Sequence, residues 1–517
     1  MIAFSMVVVY LLLTLLLAFI ARRRELGHVR TVRSFFVANG KMPLFAVTTM
    51  LFADLIAAST TTGTAGTGYT TGYAALWGIW GSSMGCIVFS KCFCRFFFEM
   101  RDTGAITEPE AFGIRFNQKI RYLVFAFTII PLFIILSTQV SAASMYMASM
   151  LGLNETLATV IVFALFLAMA LPGINGIAEM NKMHAFVIFF GISFAALVCL
   201  NHVGGPGALA QKLPESYFNP FTPGIPTVVA QFVGGALGFA ISTTSVNIGY
   251  CAKDMKTAER SHFIVAGVSA LFAFAPATVG LCAAVSLEGI RPDNSLYLMT
   301  NAISPELAGL TVMGVFAAIF STAPWFTVAI AKLTLQELFM PIQKARRRDV
   351  TDRQALMVTR GVIVAALVVA MAISGTNASF LNSLMSASQI KAIAVILLLF
   401  GIYWKRTSNA AGFAGLLVGG TLSTLWYVLG SPFGVQPFWP GMVSSITIIV
   451  LGSLLAGDRG LRDYAAYRER LAAGKRAFAA DRGYDQGVRL EGEAAGDAAL
   501  GDGSDGAAAG LPTTADR

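Results

Sequence analysis

The stretch from Leu51 to Gly72, LFADLIAASTTTGTAGTGYTTG, holds the densest polar chemistry found inside any apolar run of the chain. An acid, Asp54, is followed by Ser59, Thr60, Thr61 and Thr62, and then by glycines at 63, 66, 68 and 72. In hydrocarbon every backbone N–H and C=O needs an internal partner, so irregular backbone at that depth survives only where it lines a cavity in the protein. Broken helices of this kind expose carbonyls and helix ends to ions and polar solutes. Ser321 and Thr322 set two adjacent hydroxyls deep in a second apolar run, and Lys391 sets an ammonium in a third. Lys391 lies too far in to reach water easily, and a charge there costs at least ~2.5–3.5 kcal/mol on insertion scales. Together these groups suit the binding of a cation and a small solute. No residues pair a nucleophile with a base, so an enzyme is not expected.

The elements that must position these groups are membrane helices. Of 517 residues 56% are hydrophobic and only 13% charged, about half the charged share of a soluble chain. Apolar windows fall near 2–21, 43–68, 72–98, 122–150, 156–173, 183–201, 227–248, 262–287, 308–334, 359–374, 378–403, 409–429 and 438–456, which predicts an all-α integral membrane protein of about thirteen spans. The first window lacks a basic flank and a cleavage site, so it is read as a retained span. The net charge of +9 sits in short loops rather than in a nucleic-acid-binding patch. Arg22, Arg23, Arg24, Arg30, Arg33, Lys41, Arg101, Arg115, Lys119, Arg121, Lys253, Lys256, Arg260, Lys344, Arg346, Arg347, Arg348, Arg353, Arg360, Lys405 and Arg406 all fall on one side, and the opposite loops carry only Lys212 and Arg291. The positive-inside rule then places the N-terminus outside and the C-terminus in the cytoplasm. Six scattered cysteines imply no disulfide framework. From Asp458 an amphipathic stretch gives way to an acidic Gly/Ala-rich segment, read as a surface helix followed by disorder.

Four segments resemble the sodium:solute symporter family, in that family's order. They are GTAGTGYTTGYAALW (63–77), TEPEAFGIRFN (107–117), FAAIFSTAPWFTVAIAKLTLQEL (316–338) and GIYWKRTSNAAGFAGLLVGG (401–420). The resemblance implies a LeuT-type core of two inverted five-helix repeats. On that basis the chain divides into a first helix and loop (1–42), the repeat core (43–403), two further helices (404–457) and the tail (458–517). No organic cofactor is implied, and sodium is the coupling ion.

By the same resemblance one sodium lies between the first and eighth core helices. The carbonyls of Ala53, Ile56 and Ala318 and the hydroxyls of Ser321 and Thr322 hold it. Neutral oxygens suit a hard monovalent cation. The competing reading of the two hydroxyls is helix–helix glue or back-bonding to a preceding carbonyl. A second sodium, held in some members by an Asp on the fifth core helix, is not expected. Asn181 stands at that Asp, His184 at a usual Gln, and Pro324 and Trp325 at the further hydroxyls.

Thr60, Ser82, Gln139, Gln231, Asn247, Gln389 and Lys391 are candidates for the solute cavity, each with a helix-glue reading beside it. Lys391 is assigned to a substrate carboxylate, with pairing to Asp54 or proton coupling as its alternatives. Asp54 is one position off the family's acid, which aligns with Leu55, and a one-residue shift turns a side chain by about 100°. It is therefore left between the solute and a neighbouring helix. Ile79, where sugar-carrying members have Glu, counts against sugars. The expected function is sodium-coupled uptake of a carboxylate or amino acid across a cytoplasmic membrane, by a monomer embedded in the bilayer. The alternatives are proton coupling through Asp54, His184 or Lys391, or a transporter-shaped sensor. The sensor is disfavoured because no signalling module follows Gly457.

Overall fold

The computed structural model describes residues 2–26, 31–374 and 380–501. Apart from an isolated bridge between Met42 and Ala252, its regular structure among those residues is helical. The chain opens with α1 (Ile2–Leu26). The first half of the core then begins with a broken span, α2 (Leu44–Leu55) and α3 (Ala58–Thr71). It continues through α4 (Leu76–Val88), the short α5 (Glu108–Arg115), α6 (Gln118–Leu151), α7 (Glu155–Ala170) and α8 (Gly173–His202). The second half also begins with a broken span, α9 (Ile225–Ala240) and α10 (Thr243–Cys251). It continues through α11 (Met255–Phe272), α12 (Phe274–Ser286), α13 (Pro305–Thr334), α14 (Asp352–Ile373) and α15 (Phe380–Tyr403). Two more helices, α16 (Asn409–Val428) and α17 (Phe438–Leu455), precede the tail helix α18 (Arg459–Gly501).

Over its described residues, each apolar window read from the sequence is mainly helical. By length and apolarity, nine helices among the described residues are fit to cross a bilayer, and a pair bent by 45°, Leu44–Leu55 with Ala58–Arg101, adds a tenth. The shortfall from thirteen comes from two shorter apolar helices, Ser5–Ala21 and Glu155–Ala170, and from the joining of the second and third windows through that bend. Thirteen crossings is therefore not what length alone yields.

Local sequence sets the helix starts. Thr107 accepts from the Glu110 N–H at 3.2 Å, and the Glu110 carboxylate accepts in return from the Thr107 N–H at 3.1 Å. This reciprocal cap starts α5 right beside Pro109, which also favours a first turn. Asn117, Asp254 and Ser304 cap α6, α11 and α13 in the same way with their side-chain oxygens.

Burial separates shaft from periphery. In α13 89% of the apolar window is buried, against 28% in α14 and in α17. Small residues let the helices around the shaft touch backbone to backbone, as membrane packing favours. A Cβ on Gly238 of α9 would lie 2.1 Å from the Ser388 carbonyl oxygen of α15, and one on Gly280 of α12 would lie 2.2 Å from that of Ala65 in α3.

The tail helix packs against the rest of the chain. Its first turns lie across α5, where the Arg470 guanidinium donates to the carbonyls of Ile114 at 3.0 Å and Phe116 at 2.7 Å. Asp463 accepts from the Asn409 N–H at 2.8 Å, and the rings of Tyr464 and Tyr467 flank the Arg115 guanidinium at 5.3 and 5.1 Å. Helix continues to Gly501, further than expected for the acidic Gly/Ala-rich segment, in keeping with its content of good helix formers such as Ala, Glu and Arg. The expected disorder of 502–517 and the position of Arg30 lie outside the described residues.

Candidate functional site

At the first break, Ile56 (φ −92°, ψ 89°) and Ala57 (φ −101°, ψ −177°) leave the helical conformation. In an unbroken helix the Ala57 N–H would bond the Ala53 carbonyl. Here it donates to Thr60 Oγ1 at 2.8 Å. The Ala58 N–H donates to Gln139 Oε1 at 3.1 Å, and the Thr60 N–H turns to the Ala57 carbonyl at 3.2 Å. These diversions release the carbonyls of Ala53, Asp54 and Ile56 from the helical ladder. The break thereby satisfies its donors and leaves its acceptors available.

α13 brings two hydroxyls to one of those acceptors. Ser321 Oγ lies 2.7 Å from the Ala53 carbonyl oxygen and 2.9 Å from that of Ala318. Thr322 Oγ1 lies 2.7 Å from the Ala318 oxygen and 3.4 Å from the Ala53 oxygen, and the two hydroxyls are 3.4 Å apart. Both hydroxyls do back-bond to Ala318, as the bland reading expected. Back-bonding alone does not account for the reach of Ser321 across to the broken helix. The cluster presents uncharged oxygens from two helices, a donor set suited to a hard monovalent cation. Both hydroxyls are fully buried. Ile56 sits at the break itself, three residues beyond Ala53.

Beside this cluster lies a cavity of about 70 Å³. Its polar lining comes from Asp54, Ser82, Thr128, the run Ser242, Thr243 and Thr244, Ser388 and Lys391. Asp54 thus stands among the residues that line the cavity. It is 4% exposed, and neither carboxylate oxygen has a hydrogen-bond partner. Thr244 is the hydroxyl beside it. That hydroxyl lies outside bonding geometry to the carboxylate and accepts from Trp325 Nε1 at 3.2 Å.

Lys391 lines the cavity, and its ammonium does not pair with Asp54. It meets Glu108 Oε1, on the first turn of α5, and Thr128 Oγ1 on α6. Thr128 also donates to Glu108 Oε1 at 2.8 Å. Lys391 is 5% exposed and Glu108 2%, so the pair forms a buried wall between the cavity and the side of the bundle that bears the basic loops. A carboxylate solute would have to compete with Glu108 for this ammonium.

Of the other candidates, Ser82 lines the cavity and back-bonds to Gly78 at 3.3 Å. Thr60 is occupied at the break, where its hydroxyl accepts from Ala57 and lies 3.2 Å from the Leu55 carbonyl. Gln139 braces the start of α3 and is absent from the cavity wall. Asn247 donates to the Phe36 carbonyl at 3.3 Å. Gln389 accepts from the Phe438 N–H at 3.1 Å and faces Gln436 at 3.4 Å. Gln139 and Gln389 thus meet backbone N–H groups, Asn247 meets a backbone carbonyl, and Ser82 bonds within its own helix. On α8, His184 Nδ1 lies 2.5 Å from the Tyr10 hydroxyl, while neither polar atom of the Asn181 side chain has a partner.

The sequence reading missed Glu108 and the second break. The break at Ile241 and Ser242 carries AISTTS (240–245), which echoes AASTTT (57–62) at the first. That echo was the available signal for Ser242, Thr243 and Thr244.

A second cavity, of about 360 Å³, is lined by Thr67, Thr70, Gln231, Arg291, Asp293 and Asn382. Burial pushes the Asp293 carboxyl up to about 6, outweighing a bond from the Phe380 backbone and the charge of Arg291. An acid raised in this way favours the folded state most below the ordinary carboxyl pKa, and that advantage is lost as pH rises through about 6. Asp293→Asn is therefore expected to flatten the fall in melting temperature between about pH 4 and pH 7. Equal slopes for the two proteins would refute this.

Two halves that each open on a broken span, with released carbonyls set against hydroxyls of a buried shaft helix, define a secondary transporter of the LeuT-type fold. A Na+-coupled sialic acid symporter in a substrate-bound, outward-open state shares this fold, with TM-score 0.74 and 17% identity over 88% of this chain and 97% of that one. Mhp1, a nucleobase-cation-symport-1 family transporter, matches in a closed form with bromovinylhydantoin bound (TM-score 0.54, 18% identity, 84% and 98% covered). Its inward-facing form also matches (TM-score 0.51, 17% identity, 83% and 96% covered). The sequence pattern of the sodium:solute symporter family matches residues 35–419, and the chain belongs to that family.

Proposed function

We propose that the protein is a sodium-coupled symporter that carries a small organic solute into the cell by alternating access, with one cation per cycle. The observation that carries this reading is the oxygen cluster of Ala53, Ala318, Ser321 and Thr322, which joins the broken span to the shaft beside the solute cavity. A cation bound there draws α2 and α13 together. Solute affinity and cation affinity are thereby linked through one break. A single cation is favoured because Asn181 and His184 stand at the positions of a second site, and the carboxylate nearest to them in sequence, Glu179, is exposed and paired with Lys182. Within the solute classes open to the site, an amino acid is favoured over a simple carboxylate, since Lys391 already has Glu108. The charge pattern of the loops supports a cytoplasmic membrane location, with the N-terminus outside and the tail inside.

The test is uptake of labelled amino acids and small carboxylates by proteoliposomes under an imposed inward sodium gradient. Concentrative uptake that a sodium ionophore collapses, with a Hill coefficient near one for sodium, is expected. A coefficient near two would overturn the one-cation stoichiometry. The buried Asp54 carboxylate favours one rival, proton coupling on the same fold. Uptake driven by a proton gradient alone would select it.

A further inference from the structure

We infer that Asp54 is the recognition point for a protonated amine on the transported solute, and that the amine, more than any carboxylate, defines the substrate class. The inference rests on the symport reading and deepens it.

A carboxylate buried to this degree with both oxygens unpartnered is costly. Such groups persist where a partner arrives with the ligand. The two obvious internal partners are excluded by position. Lys391 is engaged by Glu108 and Thr128. The cation cluster is built from Ser321, Thr322 and two carbonyls, none of which bonds the Asp54 side chain. Asp54 and Lys391 are the charged side chains that line the cavity. Lys391 is already met by Glu108 and Thr128, which leaves Asp54 as the charged group open to a ligand, and an amine is its complement.

The rest of the lining fits the same class. The Thr243 hydroxyl is also buried without a partner, and Thr244 and Ser242 lie next to it on the cavity wall. An ammonium carries three donors, so one can bond Asp54 while the others meet these hydroxyls. A charge-assisted N–H···O bond is roughly twice as strong as a neutral one. Leu132, Ile135, Phe239 and Phe326 provide the apolar remainder, which suits a short aliphatic body.

Melting of the full-length protein in detergent, with saturating sodium, tests this with shape-matched probes. These are L-alanine, L-alaninol and L-lactate, and the larger series L-valine, L-valinol and 2-hydroxyisovalerate. The amine-bearing members of at least one series are expected to raise the melting temperature by about 2 °C or more, and the hydroxy acids to leave it unchanged. In Asp54→Asn the amine shifts should vanish while a shift from sodium alone remains. Stabilisation by the hydroxy acids without the amino alcohols overturns the proposal. So do amine shifts of equal size in Asp54→Asn, or silence from every amine while sodium still stabilises. Absence of any sodium shift in the unsubstituted protein would instead overturn the symport reading beneath it. The comparison of probes on the unsubstituted protein keeps the test decisive if Asp54→Asn does not fold.

Discussion

Ser321→Ala should raise the sodium concentration needed for half-maximal uptake by about 10- to 100-fold. A hydrogen-bonding group facing a charge contributes about 1.5–3 kcal/mol, and each 1.4 kcal/mol is a factor of ten. Ser321 has the strongest case because its oxygen lies 2.7 Å from both worlds it must join, or nearly so: the Ala53 carbonyl at that distance and the Ala318 carbonyl at 2.9 Å. Thr322→Val should cost less, since Thr322 reaches Ala53 only at 3.4 Å. The substitution removes one oxygen from a packed helix and should leave folding intact. Solute KM at saturating sodium should therefore stay close to that of the unsubstituted protein. Sodium titration of uptake in proteoliposomes measures both quantities. An unchanged sodium requirement would move the coupling cation away from this cluster.

The second large effect concerns Glu108 and Lys391. Removing one partner of a buried ion pair costs about 3–5 kcal/mol, because the other charge stays buried without compensation. Glu108→Gln and Lys391→Met should each lower the melting temperature markedly, and the double variant should recover most of the loss. Simple addition of the two losses would show that the pair is not the unit that the contact implies. The same variants separate two roles for the lysine. If Lys391 served a substrate carboxylate, Glu108→Gln would free it and tighten the binding of a simple acid such as lactate. With the pair acting as a wall, no such gain is expected.

The legible and illegible parts of the site divide along a physical line. The first break could be read because threonines and glycines inside an apolar run contradict the solvent, and only a cavity resolves that contradiction. Ser321 and Thr322 could be paired with Ala53 because depth and hydroxyl chemistry point the same way. Lys391 was correctly read as needing a partner, yet its partner was not legible. Glu108 sits in a polar loop where an acid attracts no notice, and only the fold brings α5 beneath α15. Thr60, Gln139, Asn247 and Gln389 share one feature that residue type does not show. Each side chain answers to a particular backbone group or neighbouring amide, and residue type alone does not reveal which backbone groups a break or a loop leaves without partners. Asp54 was doubted from alignment, and the structure sets it among the residues that line the cavity.

α5 is only eight residues long, about 12 Å from end to end, and it is tied at both ends. Glu108 holds the cavity wall at its start, and Arg470 of the tail grips the carbonyls around its last turn. It is therefore the short element that joins the ion pair beside the solute chamber to the tail. If opening the chamber parts Glu108 from Lys391, reciprocity makes anything that seizes the tail change the work of that opening. A dye attached to the early turns of α18 would then report on the chamber without touching it.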